Sequence, residues 1–279
     1  MTLEYDKNGY LKPGIYENFP EHLYHRGPEI SNSKLKVFAD SAHLYHGTYI
    51  TKELGAVKES DPMELGSYFH AITLEPDKHH EHYICEYSMK AQKGQKERME
   101  AQNDGVYPIT KVGYDTARWM RDSTLKNDLA AMVLKQGKPE VSFFGVHEST
   151  GINIRSRTDW IDPSRKLAAD LKSIRDIHPK IVSKTIEERR WHVQEAFYTY
   201  LAEQHGIPID NFIWIVTESK APYTCIAQPL VDQLRDYGKD IFEENMQDLA
   251  QCIEKNDWPV YNYNKNFGFD ISPYGYDRN

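Results

Sequence analysis

Asp170, Leu171 and Lys172, read with Asp159 eleven residues earlier, carry the chemistry most worth following in this chain. The run Gly151-Ile-Asn-Ile-Arg-Ser-Arg-Thr-Asp159-Trp-Ile-Asp-Pro-Ser-Arg-Lys-Leu-Ala-Ala-Asp170-Leu-Lys172 reads as two strands joined by a tight turn at Asp162-Pro163-Ser164. Side chains alternate along a strand, so Asp170 and Lys172 share one face and Leu171 takes the other. A hairpin then sets Asp159 opposite that face. Two carboxylates and one ammonium converge, which suits Mg²⁺ and an attacking water, the equipment for hydrolysing a phosphodiester. An Asp-x-Lys on a strand is by itself more often a solvated ion pair, so the reading rests on what accompanies it.

Three stretches accompany it. Gln194 and Tyr198 are four apart in a helical pattern from about 186 to 205, so they share a face one turn apart; the plain alternative is a polar and an aromatic residue on a half-buried helix. His70 lies in the apolar helical run Leu65-Gly66-Ser-Tyr-Phe-His70-Ala-Ile-Thr-Leu74, closed by Pro76; a lone histidine there is more often a satisfied core residue than a metal ligand. Ser31, Asn32, Ser33 and Lys34 lead into an apolar-periodic helix. That is the pattern of an N-cap, and a helix N-terminus also binds phosphate, with Lys34 adding charge.

Taken in order, Ser31-x-Ser33-x-Leu35, Gly66-x-x-x-His70, Glu140, Asp159, Asp170-x-Lys172 and Gln194-x-x-x-Tyr198 resemble the RecB-type branch of the PD-(D/E)XK nuclease superfamily. Within that branch the wording is closest to RecE-type exonucleases (exodeoxyribonuclease VIII-like). Ile30–Leu35, Phe69-His70 with Leu74-Glu-Pro76, Thr150–Ile152, Arg157-Thr-Asp159, His192–Tyr198 and Trp258-Pro259 carry the likeness over roughly residues 29 to 260. One departure is Arg-Thr rather than Arg-Pro before Asp159.

The resemblance implies an α/β, restriction-endonuclease-like PD-(D/E)XK core with a mixed central β-sheet flanked by helices. It implies His70, Asp159, Asp170 and the backbone carbonyl of Leu171 as metal ligands, with Glu140 assisting. Lys172 matches the catalytic lysine that orients or deprotonates water and steadies charge on phosphate. Gln194 and Tyr198 match the helix motif that positions the lysine and the DNA backbone. Ser31, Ser33 and Lys34 would sit near DNA phosphates. Arg155 and Arg157 share a strand face with Asp159 if no bulge intervenes, so they could grip a phosphate beside the cut.

The activity implied is a Mg²⁺-dependent exonuclease (Mn²⁺ as a substitute) acting processively 5′→3′ on double-stranded DNA ends and leaving 3′ single-stranded overhangs. Such an enzyme would serve phage or prophage recombination in the cytoplasm of a bacterial host, beside a RecT-like single-strand annealing protein. Processivity needs a closed ring, hence an expected homo-oligomer, a tetramer. The alternatives are an endonuclease or single-strand nuclease on the same fold, or a non-catalytic DNA-binding module.

Composition sets the bounds. The chain has 279 residues, 39% hydrophobic and 27% charged, enough for one large globular domain rather than a disordered chain. No apolar run reaches membrane-span length, and Met-Thr-Leu-Glu-Tyr-Asp-Lys lacks the basic and apolar regions of a signal peptide. Cys85, Cys225 and Cys252 are widely spaced, as expected of reduced thiols and not of a four-cysteine iron–sulfur cluster. The net charge of −8 disfavours non-specific wrapping of nucleic acid. It allows a narrow channel lined by cations, for which Lys90–Arg98 is the candidate, though a solvated face is the commoner outcome.

Elements are expected at 30–47 and 61–75 (helices), 112–136 (one or two helices), about 140–147, 152–161 and 167–172 (strands), 186–205 (a long helix), 212–217 and 223–228 (strands), and 230–255 (a closing helix). Residues 1–29, rich in Gly and Pro, read as an N-terminal arm, 30–258 as the exonuclease domain and 259–279 as a C-terminal tail. His79-His80-Glu81-His82 does not meet metal-site spacings.

Overall fold

A computed structural model describes residues 3–55, 61–76, 82–85, 91–103 and 106–260. The chain opens with a short strand β1 (Gly14–Tyr16) and helix α1 (Glu21–Arg26), then α2 (Asn32–Asp40), α3 (Ala42–Tyr45), a π-helical turn and α4 (Asp61–Leu74). Strand β2 (His82–Cys85), α5 (Gln92–Asn103), β3 (Tyr107–Thr110), α6 (Lys111–Lys126) and α7 (Asp128–Leu134) follow. The central run is β4 (Lys138–Val146), β5 (Asn153–Asp162) and β6 (Leu167–Ile174). It continues through α8 (Pro179–Arg189) and α9 (Trp191–Gln204) to β7 (Asn211–Glu218), β8 (Cys225–Gln228) and α10 (Asp232–Lys255).

Local chemistry sets several boundaries. The hydroxyls of Ser31, Ser41 and Thr110 accept the N–H of Lys34, Leu44 and Gly113 and so start α2, α3 and α6. Asn127 caps α7 through the Ala130 N–H, which splits the expected 112–136 segment in two. The expected helix at 186–205 is also two. Arg190 takes a left-handed conformation, φ 54°, ends α8 and lets α9 start in a new direction with Trp191 buried.

One six-stranded sheet runs in the order β1-β4-β5-β6-β7-β8. Every pair is antiparallel except β6 with β7, which the α8–α9 crossover joins, as a parallel pair requires. On one face, Phe38 of α2, Phe197 and Leu201 of α9, and Phe242 and Met246 of α10 pack on Phe143, Ile154 and Trp214. On the other, Phe69 and Leu74 of α4, Met120 of α6 and Val133 of α7 pack on Leu171, Ile213 and Ile215. Each such side chain, fully buried, is worth about 1.5–3 kcal/mol. The two faces thus fix α4 and α9 on opposite sides of β6, the strand that bears Asp170 and Lys172. The expected mixed sheet flanked by helices is what the chain adopts.

Residues 3–29 are not a free arm. β1 extends the sheet by pairing with β4, and Leu11, Phe19 and Tyr24 close a small core around Phe144. At the other end, Pro259 and Val260 accept hydrogen bonds from the His43 N–H and the Ser41 hydroxyl. The rest of the expected tail, 261–279, lies outside the described residues, as do Lys90 and most of the histidine run at 79–82. A small parallel pair of β2 with β3 was not foreseen. Among the described residues no helix is long and apolar enough to cross a membrane.

Candidate active site

The β5–β6 hairpin pairs Asp162 with Leu167, Ile161 with Ala168 and Trp160 with Ala169. One step further, at Asp159, a side chain replaces the ladder: Asp159 Oδ2 accepts the Leu171 N–H at 2.9 Å. On its other edge, β5 pairs Trp160 with Pro139 and Thr158 with Val141 in one unbroken register, but the intervening Asp159 and Glu140 do not pair. Glu140 sits at φ 50°, a left-handed conformation costly for a residue with a side chain and one that tends to occur at functional sites. The backbone therefore yields on both edges of β5 at the same level, and two carboxylates come to line one cavity.

Helix α4 brings His70 to them, with Nδ1 3.4 Å from Asp159 Oδ2. One ligand atom each from His70, Glu140 and Asp159 lie within 4.8 Å of one another. Next to this cluster Lys172 Nζ lies 2.5 Å from Asp170 Oδ1 and 5.6 Å from the centre of the Trp214 ring. The side-chain amide of Gln194, from α9, donates to Asp170 Oδ2. Asp170 Oδ1 is buried and has no partner in hydrogen-bonding geometry, despite the nearby ammonium.

Burial dominates the electrostatics. It raises the Asp159 carboxyl above its usual range. It pushes Asp170 up to about 6, helped by the negative charge of Asp159, and Glu140 up to about 8 for the same two reasons. His70 is driven down to about 4 by burial and then by the Lys172 charge, so its ring is neutral at pH 7 and has a lone pair to give. The Tyr198 hydroxyl is pushed well above its usual value by burial and by Tyr24, Asp170, Asp159 and Glu140, so it remains protonated. Clustered acids that hold protons for want of a counter-charge and a neutral imidazole together fit a divalent cation. Carboxylates suit hard divalent ions and an imidazole suits transition metals, so the mixed set is that of a divalent cation without selecting Mg²⁺. His70, Glu140 and Asp159 would hold it, with Asp170 at its flank.

These groups open into a cavity of about 740 Å³, whose lining includes Tyr24, Gly66, Glu75, Arg157 and Lys172. The fold therefore gathers His70, Glu140, Asp159, Asp170, Leu171, Lys172, Gln194 and Tyr198 in one region. Glu140 is more central and Asp170 less so than their motif positions imply.

Four expected phosphate contacts need correction. Arg155 is buried, with Nη1 3.0 Å from Glu29 Oε2 and on the carbonyls of Gly27 and Glu29, so it ties the N-terminal segment to the sheet. Lys34 Nζ donates to the carbonyls of Gly27, Pro28 and Glu29, and burial brings it down to about 8. Ser31 is a buried N-cap. Ser33 is exposed on the same short helix, away from the cavity lining. Arg157 does reach the cavity, braced by Ser142 and the Phe19 carbonyl and lying over the Tyr24 ring at 4.3 Å. The sequence reading missed Tyr24 and Glu75. Tyr24 lay in the segment taken for an arm; Glu75 lay in the stretch Leu74-Glu-Pro76 that carries the likeness but was given no role of its own.

The model of a PDDEXK-like domain of unknown function (DUF3799) matches residues 31–266. Among solved structures, that of a putative exonuclease from Eubacterium rectale superposes with a TM-score of 0.64. The match covers 94% of this chain and 99% of that one at 13% sequence identity, a likeness of fold. No curated protein matches the chain.

Proposed function

This chain belongs to the PDDEXK-like domain family DUF3799, and from that premise we propose that it is a divalent-metal-dependent deoxyribonuclease acting exonucleolytically on duplex DNA ends. The observation that carries the reading is the convergence of His70, Glu140 and Asp159 within 4.8 Å beside the Lys172–Asp170 pair. The name of the Eubacterium rectale protein favours an exonuclease over other uses of the fold.

His70, Glu140 and Asp159 would hold the ion, which when bound would polarise the scissile phosphate and acidify a water. Lys172 reaches the same cavity; it orients the attacking water and steadies negative charge as it develops on phosphate. Asp170 holds the ammonium in place, and Gln194 fixes Asp170 in turn. Tyr198 stays un-ionised and adds no charge that would repel the strand. A bound cation would offset the carboxylates of the cavity and so favour the approach of DNA. Little covalent work falls to the side chains; positioning and electrostatics carry the rate.

Mg²⁺ as the working ion, 5′→3′ polarity, processive action through a ring-shaped homo-oligomer and a recombination role beside an annealing protein complete the proposal. Digestion of linear duplexes labelled separately at each 5′ and 3′ end, alongside covalently closed circles, tests it. Release from linear DNA starting at 5′ ends with circles left intact is expected; cutting of circles would replace the exonuclease reading with an endonuclease.

A further inference from the structure

Asn18 and Glu75 line the cavity of the metal cluster on one side and a second chamber of about 500 Å³ on the other. The two spaces therefore share a wall. The second has an apolar side formed by Trp160, Leu125 and Leu134, and Lys135 and Lys138 among its lining residues. Its floor is fixed. Trp160 Nε1 donates to the Gln136 carbonyl at 3.2 Å. Gly137, at φ 147°, lets the backbone close over that indole, because a Cβ there would lie 2.5 Å from Trp160 Nε1 and 2.8 Å from the Ile161 carbonyl oxygen. Lys135 is exposed. Lys138 makes an exposed pair with Glu17 at 2.6 Å, the kind of contact a phosphate readily displaces.

We propose that this chamber is a nucleotide subsite: the strand carrying the scissile phosphate continues past Asn18 and Glu75 and seats its flanking base against Trp160, Leu125 and Leu134. Lys135 and Lys138 meet the phosphate of that nucleotide. The inference rests on the nuclease reading of the adjacent metal cluster. Glu17 and Glu75 also line the chamber, so its two cations stand among two carboxylates; an apolar wall beside an exposed lysine is still the chemistry of a nucleotide, since a base offers a flat apolar face and its phosphate a charge. The volume lies in the range of about 300–1,000 Å³ usual for ligand pockets.

Two variants test it in Mg²⁺ on end-labelled duplex. Lys135→Glu alters an exposed side chain outside the metal cluster, and Leu125→Trp fills the chamber. For Lys135→Glu, KM rises roughly fivefold, kcat stays within about twofold, and the slope of log(kcat/KM) against log[salt] becomes shallower by about 1. Leu125→Trp raises KM similarly and abolishes the penalty that an abasic residue at the flanking position imposes on the unaltered protein. If the unaltered protein degrades DNA and both variants keep its KM and salt slope, the subsite is overturned and the nuclease reading stands. If the unaltered protein releases no nucleotides in Mg²⁺ or Mn²⁺, the nuclease reading fails and the subsite with it.

Discussion

Asp159 Oδ2 accepts the backbone N–H of Leu171 at 2.9 Å, so one carboxylate closes a gap in the sheet while lying 3.4 Å from His70 Nδ1. Structure and chemistry meet in that side chain. Asp159→Asn keeps an acceptor oxygen and loses the charge; Asp159→Ala loses both. The expectation is that Asn preserves the melting temperature and abolishes metal-dependent nucleotide release, whereas Ala also destabilises the protein, by about 1–3 kcal/mol for the unmatched N–H. Thermal melts alongside nuclease assays check it; an Asn variant that keeps full activity would remove Asp159 from the metal site.

Gln194 acts through Asp170, to which it donates, and touches the reacting atoms only by that route. Gln194→Ala should therefore lower activity about 10–100-fold, the usual cost of losing a partner behind a functional carboxylate. Lys172→Ala should cost about 10²–10⁴ in kcat. Single-turnover rates at saturating Mg²⁺ separate the two. A Gln194→Ala loss equal to that of Lys172→Ala would mean that the amide itself contacts the phosphate.

Glu140 yields a pH prediction of definite sign. Its folded value of about 8 lies above the ordinary 4.5, so the metal-free fold holds a proton that the unfolded chain has lost in that window. Glu140's own contribution to metal-free stability is therefore greatest below about 4.5 and is lost as pH rises towards 8. A divalent ion binds the ionised carboxylate and reverses the trend. The rise in melting temperature produced by Mg²⁺ should be larger at about pH 8.5 than at about pH 6. Glu140→Gln should flatten that difference; an Mg²⁺ shift independent of pH would exclude Glu140 as a ligand.

Arg155 and Glu29 are each about 2% exposed and ion-paired at 3.0 Å. Removing one partner strands the other, so Arg155→Ala should destabilise the fold by about 3–5 kcal/mol. Where the variant remains folded, at low temperature, its affinity for DNA should match that of the parent. Denaturant melts and DNA-binding isotherms test this; a selective loss of affinity without loss of stability would restore Arg155 to the DNA interface.

The sequence was most legible where periodicity and chemistry coincide. The β5–β6 hairpin reads directly from alternation around Asp162-Pro163-Ser164, and the helical repeat places Gln194 and Tyr198 on one face. Glu140 was hard to weigh because its importance comes from a left-handed backbone that no residue pattern announces. Arg155 and Lys34 were misread because sequence shows a charge but not its partner: Glu29 and three carbonyls, supplied by a neighbouring segment, satisfy both. Residues 3–29 read as an arm because of their six Gly and Pro residues, yet Leu11, Phe19 and Tyr24 find a core around Phe144, a tertiary effect that local composition does not encode. The long helix failed at Arg190, an ordinary helix former bent by the burial of Trp191 against Trp214, ring centres 4.9 Å apart.

The most direct measurement is release of acid-soluble nucleotides from linear duplex DNA by the unaltered protein and by Asp170→Asn, each in Mg²⁺ and in EDTA, with melting curves recorded in parallel. The account predicts release only by the unaltered protein and only with Mg²⁺, with both proteins folded at the assay temperature. Equal release by Asp170→Asn, or release that persists in EDTA, would contradict it.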